Sequence, residues 1–213
     1  MPMLPDPIVE HIRSVVEREY EYSDERIHAT ELCGCLLKAW LRRRYPVERE
    51  FERMWYLYRG LIFDELWTSL FPRKQVRVTH RIKNGPTIVG KIDFIYNGKI
   101  YELKTVNSVR RLDELYDHHV KQVRFYAWCE CVEEAVLLYI SFDGYCAFTV
   151  DCSEEKVLPV VEEFERKAVE LYEALKKNEP PRPDASKWEC QFCEYYLSYC
   201  GGRDVGLLKN LQK

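Results

Sequence analysis

Long apolar runs are missing from this sequence. The longest, AVLLYI at 135–140, is far short of the ~20 residues that cross a bilayer, so no membrane span is expected. No leader is read at the start either, and the expectation is a cytoplasmic protein. A surplus of positive charge is also missing: 32 Lys and Arg against 35 Asp and Glu give a net charge of -3, with a pI near 6.0. That excludes a globally basic nucleic-acid-binding surface. Any such contact has to come from local clusters, such as Arg42 to Arg44, Arg110 with Arg111, or Lys121 with Arg124. Internal repeats and low-complexity tracts are absent too.

Cysteine, by contrast, is plentiful, with nine in 213 residues. In a chain without a leader, thiols are expected to serve metals or packing rather than disulfides. The length leaves room for one generous hydrophobic core.

The first third reads as helical. Apolar spacing predicts a helix over 7–20, a second capped by Thr30 through ELCGCLLKAWLRRRY and ended by Pro46, and a third over 48–70 ended by Pro72. From Gln75 the period changes to two, predicting an antiparallel meander: QVRVTHRI, then IVGKIDFIY, then KIYELKTV after the Asn97-Gly98 turn. A helix over about 112–131, strands AVLLYISF and YCAFTV around Asp143-Gly144, and a long helix from Ser153 to about Lys177, bent near Pro159, complete the core. The proline-rich connector NEPPRPDASKWEC then leads to a cysteine-rich tail. The expected division is a helical N-terminal region over residues 1–72, a mixed α/β core over 73–178, and a connector with tail over 179–213, all within one compact unit.

The chemistry concentrates in GKIDFIYNGKIYELKT, residues 90–105. A two-residue turn at Asn97-Gly98 sets Tyr96 against Lys99, Ile95 against Ile100, Phe94 against Tyr101, and Asp93 against Glu102. Two carboxylates opposed on a half-buried sheet repel unless a cation or proton lies between them. A hard divalent ion, Mg²⁺ or Mn²⁺, meets that need, and Lys104 lies beside it to stabilise charge on a phosphoryl group or orient the attacking water. Asp64, in RGLIFDELW, can bring a third carboxylate from a helix. Gln122 and Tyr126, four apart, share a helical face turned to the same chemistry. His118 and His119 lack the companion aspartates of a DHH metal motif and are not expected to be ligands.

Cys190, Cys193 and Cys200 crowd a tail too short for its own core, which points to a metal or cluster. The fourth thiolate is sought upstream in ELCGC, at Cys35 with Cys33 as substitute, and zinc and iron-sulfur both fit the spacing. Cys129, Cys131, Cys146 and Cys152 are expected to be packing residues.

Taken in order, ELCGC, GLIFDE, GKID, YELK, QVRFY and the three-cysteine tail resemble the CRISPR-associated RecB-like nucleases of the PD-(D/E)XK superfamily that carry an iron-sulfur cluster. The resemblance spans nearly the whole chain. It implies a restriction-endonuclease-like α/β fold, a mixed sheet flanked by helices. It implies a cluster on Cys35, Cys190, Cys193 and Cys200, 4Fe-4S ahead of 2Fe-2S and ahead of zinc. By the same carry-over, Asp93, Glu102, Lys104, Gln122 and Tyr126 are the catalytic residues, and the metal ligands are Asp64, Asp93, Glu102 and the carbonyl of Leu103. The family usually has a histidine where Asp64 stands; an Asp also ligates Mg²⁺ or Mn²⁺, but its extra charge alters metal affinity. The implied activity is 5′ to 3′ exonuclease action on single-stranded DNA, trimming fragments for CRISPR spacer acquisition with the integrase proteins of adaptation. Oligomeric state is left open.

Overall fold

A strand buried on both faces reads as an unbroken apolar run, and the run noted above lies in β5 (Glu134–Ser141), flanked by a strand on each side. The computed structural model describes residues 4–17, 22–47, 51–112 and 114–200. The expected helix end at residue 20, the start at residue 48 and the tail beyond residue 200 lie outside them. Among the described residues, no helix is long and apolar enough to cross a membrane.

Among the described residues the sheet has six strands: β1 (Arg26–His28), β2 (Lys74–Arg81), β3 (Thr87–Tyr96), β4 (Lys99–Thr105), β5 and β6 (Gly144–Asp151). β2–β3, β3–β4 and β5–β6 pair antiparallel, whereas β1–β3 and β4–β5 are parallel, so the sheet is mixed. Its helices are α1 (Asp6–Glu17), α2 (Ala29–Leu32), α3 (Leu36–Arg44), α4 (Phe51–Thr68), α5 (Asp117–Glu130), α6 (Glu154–Lys177) and α7 (Lys187–Gln191), with one 3-10 turn at Val109–Arg111.

Helices cover both faces. On one, Ile92, Ile95, Ile100 and Leu137 pack with Leu36 and Trp40 of α3, Phe125 of α5, Phe164 and Leu171 of α6, and Tyr195 of the tail. On the other, Phe63 and Trp67 of α4 meet Phe94, Leu103, Leu138 and Ile140. A small third cluster joins α1 to α4 through Ile12, Val16 and Met54. Helix α6 continues through Pro159 without a break in its span.

Three expectations change. The helix predicted through ELCGC is two helices, because the backbone of Gly34, Cys35 and Leu36 is bonded away from it. Lys167 Nζ donates to Gly34 O at 2.9 Å, Cys35 N to Glu189 Oε1 at 2.9 Å, and Leu36 N to Asp184 Oδ1 at 2.7 Å. The N-cap of α2 is His28 rather than Thr30. The helix expected from residue 112 starts at Asp117, after the 3-10 turn.

That turn is held from across the β5–β6 hairpin. Asp143 accepts Ser108 Oγ at 2.5 Å and Val109 N at 3.1 Å, and the Ser108 and Ser141 hydroxyls hold its carboxyl down, from 3.8 to about 2. A depressed carboxylate stabilises the fold above its unfolded value and loses that contribution as pH falls through the folded one. Thermal unfolding of wild type and Asp143→Asn should therefore differ at neutral pH and converge between about pH 4 and pH 2.

Candidate active site

The hairpin register holds for three pairs and then ends. Tyr96 pairs with Lys99, Ile95 with Ile100 and Phe94 with Tyr101, but Asp93 and Glu102 are not a ladder pair. There the strands part: β4 continues beside β5 over 100–105, while β3 meets β1 again only at Thr87–Val89. Among the described residues, 90–93 therefore have no partner strand on that edge, and Asp93 Oδ2 takes the amide of Leu103 at 2.6 Å, standing in for a backbone acceptor. Alternation slips at the same place, since Ile92 belongs to one core and Phe94 to the other. The fork opens a cleft of about 760 Å³ lined by Asp64, Asp93, Glu102, Leu103, Lys104, Gln122 and Tyr126, among others.

All seven hairpin and helix residues singled out from the sequence thus meet at one cleft. Glu102 is 2% exposed; its Oε1 accepts Lys104 Nζ at 2.8 Å and Gln122 Nε2 at 2.7 Å, and Gln122 also donates to Tyr126 Oη at 3.1 Å. Helix α4 delivers Asp64, which accepts Gln75 Nε2 at 2.8 Å. Gly60, one turn earlier, lets α4 close on β4: a Cβ there would meet Thr105 Oγ1 at 3.3 Å.

Electrostatically, three carboxyls are crowded together at low exposure. Burial pushes the carboxyls of Asp64, Asp93 and Glu102 up, and for Asp93 the Glu102 charge pushes the same way. Burial alone would lower Lys104, but the charges of Glu102 and Asp93 outweigh it and raise its pKa. Among the described residues no donor reaches the buried Asp64 Oδ1 and Glu102 Oε2, and the Asp64 and Asp93 carboxyls lie close enough to share a proton. Buried carboxylate oxygens are costly unless compensated, and two orphans beside Asp93 form an oxygen donor set suited to a hard cation. The chemistry of these oxygens suits a hard divalent ion such as Mg²⁺ or Mn²⁺, which Asp64, Asp93 and Glu102 would hold with Leu103 alongside. Among the described residues, no three His, Cys, Asp or Glu side chains already stand at metal-ligand spacing.

Three contributors escaped the sequence reading. Gln75 has a φ of 51° and stands opposite Asp93, where the β2–β3 ladder skips a pair; its amide holds Asp64. Lys91, the lysine of GKID, acts on Asp64 electrostatically. Gly90 makes room for a ring, since a Cβ there would lie 2.4 Å from Tyr126 Cε1. An isolated glycine in a strand pattern marks such close approaches, so Gly90 was findable; nothing in the sequence marks Gln75. Tyr126 is 2% exposed and has nowhere to retreat. Gly90→Ala should therefore cost about 1–3 kcal/mol by overpacking and shift Tyr126 from Gln122, to be checked by thermal unfolding.

The histidines serve elsewhere. His119 Nδ1 lies 3.0 Å from Tyr139 Oη, and burial lowers its pKa to about 2, while His118 packs between Tyr116 and Trp188. Cys35, Cys190, Cys193 and Cys200 line one small cavity between α3 and the tail. No disulfide forms among the described residues, and burial pushes Cys35 up to about 11. Four sulfurs drawn from an upstream loop and the tail suit a soft tetrathiolate centre. Cys33 does not line that cavity and packs against the main core instead. Cys152 is buried and Cys129 and Cys146 pack against the core, but Cys131 is exposed at the left-handed end of α5, contrary to a packing role.

No family profile and no curated protein matches the sequence. Solved structures do match in fold. The crystal structure of SSO0001 aligns with a TM-score of 0.66 at 19% identity, covering 92% of this chain and 96% of that one. A candidate exonuclease from Eubacterium rectale aligns at 0.51 and 11% identity, over 93% and 94% of the two chains. The alkaline exonuclease of Laribacter hongkongensis gives 0.49 at 12% identity, over 72% and 93%. The mixed sheet flanked by helices is thus a fold that this chain shares with the structure of SSO0001 and with the Eubacterium rectale candidate exonuclease.

Proposed function

We propose that the chain is a metal-dependent deoxyribonuclease, an exonuclease acting 5′ to 3′ on single-stranded DNA. Its biological role in this reading is trimming DNA for CRISPR spacer acquisition, alongside the integrase proteins of that system. The observation that carries the nuclease reading is the pair of partnerless buried oxygens on Asp64 and Glu102, in a cleft shared with Asp93 and Lys104. Exonucleases among proteins of this fold support it.

In this reading the three carboxylates hold Mg²⁺ or Mn²⁺, which when bound activates water and neutralises phosphoryl charge. Lys104 keeps its proton, because Glu102 and Asp93 surround it, and presents a cation to the phosphate. Gln122 fixes the Glu102 carboxylate, and Tyr126 fixes Gln122. Cys35, Cys190, Cys193 and Cys200 hold an iron-sulfur cluster, 4Fe-4S by preference over 2Fe-2S. Its role is structural, closing the tail onto α3, where Glu194 already pairs with Arg42 at 2.7 Å.

A second reading, a non-catalytic iron-sulfur subunit that binds DNA for the integrase, draws on the Lys104–Glu102 pair. That pair, at 2.8 Å, partly neutralises the site without any metal. One assay separates the two: anaerobically purified protein, brown if the cluster is iron-sulfur and colourless if it is zinc, with end-labelled DNA and Mn²⁺ or EDTA. The exonuclease releases label from single strands with Mn²⁺ only, the 5′ label first. Binding without degradation under every condition selects the second reading.

A further inference from the structure

Beside the carboxylate cleft, and sharing Tyr56 and Thr105 with it, lies a cavity of about 440 Å³. That volume falls within the roughly 300–1,000 Å³ of small-ligand sites. Arg59, Asn107, Ser108 and Tyr116 complete its chemistry, and none of its lining residues is acidic. The absence of acid means that this cavity can take a phosphate without a metal ion, whereas the three carboxylates of the neighbouring cleft call for one.

Its components match those of a nucleotide. The Arg59 guanidinium lies 4.8 Å from the Tyr56 ring centre and donates through Nη2 to Asn107 Oδ1 at 3.2 Å, while its Nε is buried without a hydrogen-bond partner. A guanidinium braced by a ring and an amide is suited to a phosphate oxygen. Tyr56 and Tyr116 are 53% and 43% exposed, leaving ring surface available to a base. Asn107 and Ser108 offer polar groups at the rim, and the Ser108 segment is fixed from behind by Asp143. Thr105 follows Lys104 directly on β4, so the cavity begins one residue beyond the catalytic lysine.

We propose that this cavity seats the nucleotide neighbouring the scissile phosphate of a single-stranded DNA, with Arg59 on its phosphate and Tyr56 and Tyr116 stacking its base. The inference rests on the nuclease reading of the cleft and gives that reading a source of strand selectivity. A base engaged in a duplex is stacked and paired already and has no free face for these rings, whereas stacking on aromatic side chains accepts any unpaired base.

The test is equilibrium binding of an oligonucleotide carrying 2-aminopurine, in EDTA so that nothing is cut. Wild type quenches the probe in single strands. Tyr56→Ala and Tyr116→Ala each weaken binding about tenfold and relieve the quench, while phenylalanine at either position retains both. Arg59→Gln lowers the salt dependence of binding by about one counterion. Melting curves matching wild type exclude unfolding of the tyrosine variants. Unchanged affinity and quench in both alanine variants overturn the cavity assignment while cleavage at the carboxylates stands. Failure of wild type to bind any single strand overturns both.

Discussion

Lys104→Ala is expected to slow cleavage of single-stranded DNA by roughly 10²–10³-fold, the loss typical when one preorganised donor to developing charge is removed. Lys104 is also the principal positive charge on the buried Glu102, at 2.8 Å. Its removal leaves Glu102, Asp93 and Asp64 facing one another with two oxygens unpartnered. The variant should therefore melt below wild type in EDTA and regain stability on adding Mn²⁺, because an ion bound only by the folded state stabilises it by mass action. Cleavage lost while Mn²⁺ rescue remains separates the lysine's role from that of the carboxylates. Wild-type rates in Lys104→Ala contradict the assignment.

The largest stability effect is expected at Arg43. Its guanidinium forms a bidentate pair with Glu31, at 2.5 and 2.9 Å, and the two side chains are 2% and 5% exposed. Arg43→Ala strands a buried carboxylate and should cost about 3–5 kcal/mol, a fall of roughly 10 °C in melting temperature. The pair ties α2 to α3 across the Cys33–Cys35 loop, so the loss should also loosen the seat of Cys35. Replacing both partners with apolar residues of similar volume should recover much of the stability, since a buried pair is costly chiefly when halved. A single Arg43→Ala that melts with wild type shows that the pair is not buried as described.

Local signals in the sequence carried the hairpin. Asn97 and Gly98 take φ of 49° and 74°, the conformation that a two-residue turn demands, and the first three cross-strand pairs follow from it. Where that ladder stops was not legible, because β3 changes partner through a parallel contact with β1, a strand of three residues with no periodicity to read. The break at Gly34 was hidden for a similar reason: ELCGCLLKAW is good helix sequence, and it is Lys167, Asp184 and Glu189, distant in the chain, that bond its backbone elsewhere. That Asp93, Glu102 and Lys104 of the hairpin and Gln122 and Tyr126 of the helix come near one another was legible from the turn and the helical spacing, although the Asp93–Glu102 pair itself does not form. Gln75 was not, since a glutamine with positive φ serves the site only through a distorted ladder that local pattern does not encode.

Binding of Mn²⁺, followed by loss of the free-ion electron paramagnetic resonance signal, tests the central claim that the buried carboxylates form a divalent metal centre. Wild type is predicted to bind the ion, and Asp93→Asn and Glu102→Gln to lose it while remaining folded. Equal Mn²⁺ retention by all three proteins would contradict the account.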